Sequence, residues 1–272
     1  MKKTAKILFT DLDNTLLNHR KQITPENSQA IRQAIGQGHR VVICTGRPLI
    51  GATAQIRELD LIQPGCYAIT YNGAVIYDCF REQILFQKTL PLPYVKYIFE
   101  KARQYDLFCQ TYSGTHLLAP YSCAALKNYV AKSKVPYQIL PNLPDCLEEE
   151  PAKVLVIGTK DRKQLSAYWE SIREWAEDKI SIFYSDQSYL EHVLLGVSKG
   201  AAIQWLCRHL DIPLENTIAV GDAQNDIPML QTAQTGIAMA NATVECKASA
   251  DYVTENDCEH SGVAEVIRRF LL

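Results

Sequence analysis

The stretch that decides the fold is KILFTDLDNT, residues 6–15. Its apolar half, Lys6–Thr10, predicts a short buried strand, and the carboxylates of Asp11 and Asp13 follow directly. In an extended segment, residues two apart point the same way, with Cα atoms about 6.5–7 Å apart. Two such charges ~4 Å apart, at an effective dielectric of ~20, repel by about 4 kcal/mol, which a cation or a proton must offset. Mg²⁺ suits such oxygen ligands, although Asp and Asn are also common in a plain turn after a strand.

The residues after this stretch alternate between helix and strand patterns up to about residue 70. Apolar positions at helical spacing and β-branched runs predict two helices and two further strands. These are a helix from Thr24 and Pro25 to Gly36, a strand at Arg40–Cys44, a helix from Pro48 to about Leu59 and a strand at Cys66–Thr70. The β-α-β-α-β order predicts an α/β fold, a Rossmann-like core of parallel strands with helices on both faces.

The alternation of helix and strand patterns ends after a predicted hairpin at Ala74–Asp78 and Glu82–Phe86. Prolines, short strand-like pieces and separate helices predict an inserted α+β domain over residues 87–189. The α/β pattern returns with a strand at Leu190–Leu195 and a helix from Lys199. We therefore expect a core built from residues 1–86 and 190–272, interrupted by the insertion.

Composition excludes several classes of protein. The 272 residues carry 28 Lys and Arg against 30 Asp and Glu, a net charge of −2, and this lack of basic excess argues against a nucleic-acid partner. Nine cysteines, an odd number without a Cys-x-x-Cys pair, indicate reduced thiols and a cytoplasmic location. No apolar run approaches the ~18 residues of a membrane span, so we expect no membrane partner. The oligomeric state is not readable.

Three further polar stretches stand where predicted strands end. Thr45-Gly46-Arg47 offers a hydroxyl and backbone N–H groups for a phosphoryl oxygen. Lys199 opens a helix, a position that disfavours a cation unless it faces an anion. Asp222 and Asp226 bracket one turn and could face one cation. Each stretch alone also fits a turn, a helix cap or an exposed first turn. Together with Asp11 and Asp13 they describe a divalent-metal site for phosphoryl transfer.

These stretches, in this order and with an insertion of ~100 residues, resemble the haloacid-dehalogenase-like superfamily of phosphatases. The similarity is greatest to its Cof-like sugar-phosphate phosphatases, which have a large α/β cap, and it spans essentially the whole chain. Asn72-Gly73-Ala74, just before the insertion, also fits that family. The chain departs from it at Tyr71, where Thr is commoner, and at residues 259–263, which replace a more acidic turn.

The resemblance implies a role for each site residue. Asp11 attacks the phosphoryl group of a small phosphate ester, and Asp13 is the general acid and base. Lys199 balances the negative charge. Mg²⁺ is held by metal ligands on Asp11, Asp13 (through its carbonyl), Asp222 and Asp226, the last directly or from beside the ion. The groups that contact the phosphate belong to Leu12, Thr45, Gly46, Asn225 and Asn72. The inserted cap closes over the site and reads the leaving group.

Two other classes of function fit part of the sequence. Gly196-Val197-Ser198-Lys199-Gly200 matches Gly-x-Ser-x-Gly between a strand and a helix, and predicts a serine hydrolase with Ser198 as nucleophile. That hypothesis leaves Asp11 and Asp13 unexplained. A phosphate-binding relative without catalysis, or a signalling domain phosphorylated on aspartate, is the second alternative.

Overall fold

The computed structural model describes residues 5–158 and 162–272, and the chain divides into two compact units. The first unit contains the residues up to Gly46, Ala52–Phe86 and Ser198–Leu272. The second contains Arg47–Gly51 and Gln87–Val197. The chain thus leaves the first unit, builds most of the second without interruption, and returns.

The amino-terminal part of the first unit has the predicted alternation. Thr24 caps the first helix with its hydroxyl, which accepts from the Asn27 N–H at 3.3 Å, and Pro25 stands in the first turn. The elements are β1 (Ile7–Thr10), α1 (Pro25–Gly36), β2 (Arg40–Cys44), α2 (Leu49–Glu58), β3 (Tyr67–Thr70), β4 (Val75–Asp78) and β5 (Gln83–Gln87).

The second unit is an α+β structure around one sheet. A short strand interrupts the proline-containing segment after Pro136. The elements are α3 (Leu92–Gln104), β6 (Phe108–Tyr112), β7 (Leu117–Ala119), α4 (Ala124–Ser133), β8 (Tyr137–Ile139), β9 (Val154–Ile157), α5 (Arg162–Ala176), β10 (Ile180–Asp186) and β11 (Tyr189–Leu194).

The returning chain completes the first unit. Its elements are α6 (Lys199–His209), β12 (Thr217–Gly221), α7 (Ile227–Thr232), β13 (Thr235–Ala238), α8 (Val244–Ala248), β14 (Tyr252–Val253) and α9 (Gly262–Phe270). Helix α8 and strand β14 were not predicted, because they are too short for a clear periodic pattern.

The first unit contains an eight-stranded sheet in the order β14-β13-β12-β1-β2-β3-β4-β5. The strands from β14 to β3 run parallel, and β4 is antiparallel to β3. The four residues of β1 are buried, as are the apolar residues of β2. This burial on both faces is why those strands read as continuous apolar runs. The α/β fold expected from the sequence is confirmed.

The strand that we placed at the start of the returning core lies elsewhere. Tyr189–Leu194 pairs antiparallel with β9 and β10 in the six-stranded sheet of the second unit, whose order is β10-β11-β9-β6-β7-β8. The chain returns to the first unit at Ser198 rather than at residue 190. An apolar run predicts a strand but does not identify the sheet that the strand joins, so the sequence did not show this.

The second unit has its own hydrophobic core between its sheet and the helices α3 and α5. Fully buried members include Ile98 of α3, Val156 of β9 and Tyr168 of α5. Among the described residues, no helix is both long and apolar enough to cross a bilayer. All nine cysteines carry free thiols.

Candidate active site

The carboxyl ends of β12, β1 and β2 lie side by side at one edge of the first unit's sheet. Pairing of Thr10 with Val220 and with Ile43 sets this register. Asp222, Asp11 and Thr45 follow the three strands, and each is buried. The Asp11 N–H donates to the Val220 carbonyl at 3.0 Å, which extends the sheet geometry by one residue. Adjacent parallel strands thus bring together groups that are distant in sequence.

Lys199 reaches this edge from a helix rather than from a core strand. We expected it to follow a core strand, but the strand before it is β11 of the second unit, and Lys199 is the first residue of α6. Its Nζ lies 2.5 Å from Asp11 Oδ1 and 2.5 Å from Asp226 Oδ1, with the side chain fully buried. The lysine faces two anionic carboxylates, as its position at a helix start led us to expect. The strand before it belongs to the sheet of the second unit, which we did not expect.

Gly73 permits this approach of α6. Its φ is +105°, and an added Cβ would lie 2.2 Å from the Ser198 carbonyl oxygen. A side chain at residue 73 would therefore displace the start of α6. The glycine of the Asn72-Gly73 pair thus allows the helix to bring Lys199 to the carboxylates.

Three carboxylates converge around the lysine. Oxygens of Asp11, Asp222 and Asp226 lie within 4.8 Å of one another. Asp222 Oδ1 accepts from the Thr15 hydroxyl at 2.8 Å. Asp226 Oδ2 accepts from the N–H groups of Asp222 and Ala223 at 2.9 and 3.0 Å. When all are ionised, three acids face one ammonium, which leaves two negative charges that a divalent cation would neutralise.

Burial dominates the electrostatics of this cluster. It raises the pKa of Asp11 to about 7; the Lys199 ammonium opposes that rise, and the carboxylates of Asp226 and Asp13 add to it. Burial, followed by the charges of Asp226 and Asp11, holds the pKa of Asp222 well above its usual range. For Lys199, burial alone would lower the pKa, but the attraction of Asp11 and Asp226 exceeds that effect and raises it. The lysine therefore stays charged.

Asp13 lies at the edge of the cluster and is partly exposed. Its Oδ1 accepts from the Lys21 ammonium at 2.8 Å, and about a third of each side chain is exposed. Asp13 supplies none of the three converging carboxylates. An acid that faces solvent while Asp11 is buried has the access to exchange protons that its neighbour lacks.

Asn72 and Asn225 are joined by a hydrogen bond. Asn225 Nδ2 donates to Asn72 Oδ1 at 3.0 Å. Asn72 is buried with φ at 58°, and its Nδ2 has no hydrogen-bond partner among the described residues. Gly46 lies against the same amide, since a Cβ there would be 2.9 Å from Asn72 Oδ1. A buried donor without an acceptor costs about 1–3 kcal/mol, and a ligand oxygen would remove that cost.

Ser198 does not have the geometry of a hydrolase nucleophile. Its backbone is extended, with φ −159° and ψ 161°, and its hydroxyl caps α6 by accepting from the Ala201 N–H at 3.0 Å. A nucleophile elbow is a strained turn that presents the hydroxyl to substrate. The serine of the Gly-x-Ser-x-Gly match is a helix cap, and this geometry gives the serine-hydrolase alternative no support.

Two residues near the site, Thr15 and Lys21, were not predicted to have a role. Thr15 holds Asp222, and Lys21 pairs with Asp13. Thr15 ends the stretch Asp-Leu-Asp-Asn-Thr, residues 11–15, and this position beside the two acids could have indicated a role. No such signal marked Lys21, because its contact depends on how the segment after Thr15 folds back.

Comparison of the chain with known proteins identifies the class of protein that has this fold and this cluster. The sequence matches the haloacid dehalogenase-like hydrolase family over residues 8–267, and the chain belongs to that family. It is 29% identical to a haloacid dehalogenase-like hydrolase of Bacteroides thetaiotaomicron, with a TM-score of 0.89 over 98% of this chain and 99% of that one.

Relatives in Bacillus subtilis include named phosphatases. The chain is 30% identical to phosphatase YwpJ, over 98% of this chain and 100% of the relative. It is also 30% identical to the 5-amino-6-(5-phospho-D-ribitylamino)uracil phosphatase YcsE, over 98% and 96%. The family expected from the motifs is confirmed, and the protein is a phosphoric monoester hydrolase.

Proposed function

We propose that this protein is a Mg²⁺-dependent phosphatase of small phosphomonoesters, most of all sugar phosphates, that works through an aspartyl-phosphate on Asp11. The observation that carries this is the buried contact of Lys199 with both Asp11 and Asp226, at the edge where Thr45 and Asp222 also lie. The charge of Lys199 opposes the rise that burial causes in the pKa of Asp11 and so favours the anion that attacks phosphorus.

The reaction has two displacements at phosphorus. In the first, a carboxylate oxygen of Asp11 bonds to phosphorus, the ester P–O bond breaks, and Asp13 gives its proton to the leaving alkoxide. In the second, Asp13 takes a proton from water, the water oxygen bonds to phosphorus, and the Asp11–phosphorus bond breaks. The exposure of Asp13 beside the buried Asp11 supports this division of roles.

The acidic cluster fits Mg²⁺, because its donors are oxygens and its excess charge is negative. Asp11, Asp222 and the Asp13 carbonyl would hold the ion. Both oxygens of Asp226 are engaged, one by Lys199 and the other by backbone N–H groups, which supports a place beside the ion rather than on it. The bound ion would neutralise charge on the phosphoryl oxygens.

The phosphate would be bound by groups that surround the cluster. These are the backbone of Leu12, the hydroxyl of Thr45, the backbone of Gly46, and the amides of Asn72 and Asn225. The donor without a partner on Asn72 supports this, since a phosphoryl oxygen would accept from it. The sequence predicts an inserted domain over residues 87–189. The family resemblance implies that this domain selects the leaving group, and this stays a prediction.

The substrate class draws support from one relative. The name of YcsE states that it dephosphorylates a phosphoribitylamino compound, whose phosphate sits on a polyol carbon. Phosphorylated sugars and polyols are therefore the first members of a substrate panel, with pyridoxal phosphate, flavin mononucleotide and nucleotides as competitors.

The decisive experiment measures phosphate release from this panel and from para-nitrophenyl phosphate, with Mg²⁺ and with EDTA. We expect Mg²⁺-dependent turnover, its loss in Asp11→Asn, and full activity in Ser198→Ala. In Asp13→Asn with labelled para-nitrophenyl phosphate, whose phenolate leaves without a proton, acid quenching should trap labelled phosphate on the protein, because the second displacement lacks its base.

Two results would overturn the proposal. Turnover that survives both EDTA and Asp11→Asn would remove Asp11 as nucleophile. Binding of phosphate esters with no turnover on any of them would favour a phosphate-binding relative.

A further inference from the structure

A second cluster of metal-binding side chains lies in the first unit, apart from the three acids. Donor atoms of His19, Cys258 and Glu259 lie within 4.8 Å of one another. His19 belongs to the segment between β1 and α1, and the other two precede α9. The cluster offers an imidazole nitrogen, a thiol sulfur and a carboxylate oxygen.

This donor set selects a different ion from the acidic cluster. Mg²⁺ binds oxygen ligands, whereas thiolate and imidazole favour Zn²⁺ and its neighbours in the transition series. Zinc bonds of about 2.0–2.3 Å at tetrahedral angles place ligand atoms roughly 3.3–3.8 Å apart. Donors that already lie within 4.8 Å need to move by only about 1 Å.

Neighbouring hydrogen bonds hold the two segments that carry the donors against each other. The backbone N–H of His19 donates to Glu259 Oε1 at 2.8 Å. The Cys258 N–H donates to Asn241 Oδ1 at 3.0 Å, and Asn241 Nδ2 in turn donates to the Asn14 carbonyl at 2.7 Å. The two segments are therefore fixed against each other before any ion binds, which lowers the ordering cost of binding.

Burial differs among the donors in a way that suits an ion near the surface. Cys258 is fully buried, while His19 and Glu259 are exposed. A metal would sit above the sulfur, closed in by the two exposed side chains, with water in a fourth position. The ion has an entry path because two of its three ligands face solvent.

We propose that His19, Cys258 and Glu259 form a binding site for Zn²⁺, distinct from the Mg²⁺ cluster and independent of the proposed reaction. Cys258 binds as the thiolate and releases its proton to solvent. The ion ties the segment before α1 to the segment before α9. That first segment carries Lys21, the partner of Asp13.

Cobalt(II) is the probe, because a thiolate ligand gives it a near-ultraviolet charge-transfer band. We would titrate Co²⁺ into the whole protein with Mg²⁺ in excess, so that the acidic cluster is occupied. We expect a charge-transfer band at one Co²⁺ per chain that Zn²⁺ abolishes by competition. The Cys258→Ser variant should lack the band, and Cys146→Ser, which changes an exposed thiol, should keep it.

His19→Ala and Glu259→Gln test the other two ligands on exposed positions where the fold is not at risk. Each should weaken Co²⁺ binding by at least about tenfold. Absence of the band, its survival in Cys258→Ser, or unchanged affinity in both exposed variants would overturn the proposal. If Cys258→Ser does not fold, as judged by circular dichroism, the exposed variants decide alone.

Discussion

Lys199 is the residue on which the acidic cluster depends. Its fully buried ammonium contacts both Asp11 and Asp226. Breaking a buried ion pair by removing one partner costs about 3–5 kcal/mol, because the remaining charge stays uncompensated. The neighbouring pair of Lys21 and Asp13 is a third exposed, so solvent screens it.

Replacing the two lysines should therefore have unequal effects. In EDTA, Lys199→Met should lower the free energy of unfolding by about 3 kcal/mol, and added Mg²⁺ should restore part of it by neutralising the acids. Lys21→Met should lower it by less than about 1 kcal/mol. Urea unfolding with and without Mg²⁺ checks both variants. Equal losses would mean that the Lys199 contacts contribute no more than a surface pair.

Replacing Thr15 tests whether its hydroxyl positions the Asp222 carboxylate. Its hydroxyl holds Asp222 Oδ1, so Thr15→Val should raise the Mg²⁺ concentration for half-maximal activity about tenfold. Thr15→Ser keeps the hydroxyl and should restore wild-type behaviour. A Thr15→Val enzyme with unchanged Mg²⁺ dependence would show that Asp222 needs no such support.

Helix α6 matters because its first residue is Lys199, and its packing rests on close contact with α7. A Cβ at Gly200 would lie 2.3 Å from the Pro228 carbonyl oxygen and 2.6 Å from Thr232 Oγ1. Backbone atoms of α7 cannot give way as a flexible side chain would. The position of the helix, and with it that of Lys199, depends on residue 200 having no side chain.

Alanine at Gly200 should therefore both destabilise the protein and reduce activity. We expect a loss of about 1–3 kcal/mol in the free energy of unfolding, from overpacking against α7. Gly36→Ala is the matched control, since Gly36 also lies in a helix but, outside that helix, no described residue comes within 4 Å of an added Cβ. That variant should be neutral or slightly stabilising, by up to about 1 kcal/mol. Thermal unfolding of both variants shows whether the effect at Gly200 comes from contact with α7 or from helix propensity.

The stability of the protein toward acid depends on a histidine in the second unit. His192 is fully buried, with Nε2 accepting from the Tyr168 hydroxyl at 2.9 Å and Nδ1 donating to the Leu190 carbonyl at 3.1 Å. Burial lowers the pKa of His192 from 6.5 to about 3. The folded state therefore keeps it neutral, while the unfolded chain binds a proton below pH 6.5. The contribution to stability is complete above pH 6.5 and is lost as the pH falls toward 3.

Between pH 7 and pH 5 this difference amounts to about 2 kcal/mol. The wild-type protein should lose that much more stability over the interval than His192→Gln, which has no titrating ring. Urea unfolding followed by tryptophan fluorescence, to which Trp169 and Trp175 of this unit and Trp205 of the first unit contribute, measures the two slopes. Parallel pH profiles would show that His192 does not drive the acid sensitivity.

The sequence predicted those parts of the fold and site that depend on local pattern. The strand before Asp11, the cap at Thr24 and the acids at Asp222 and Asp226 lie where periodicity and strand ends placed them. The sheet that β11 joins was not predicted, and neither was the route by which Lys199 reaches the acids. Both depend on pairing between distant segments, which a run of apolar residues does not specify.

The strand order also determines when the acidic cluster can form during synthesis. β1 lies between β2, its near neighbour in sequence, and β12, roughly two hundred residues later. A ribosome releases Asp11 early, then most of the second unit, which is continuous from Gln87 to Val197. We expect that stretch to fold as a unit while the edge of β1 that pairs with β12 is still unpaired. The nascent protein thus acquires its inserted domain before the cluster that the first strand supplies can be completed.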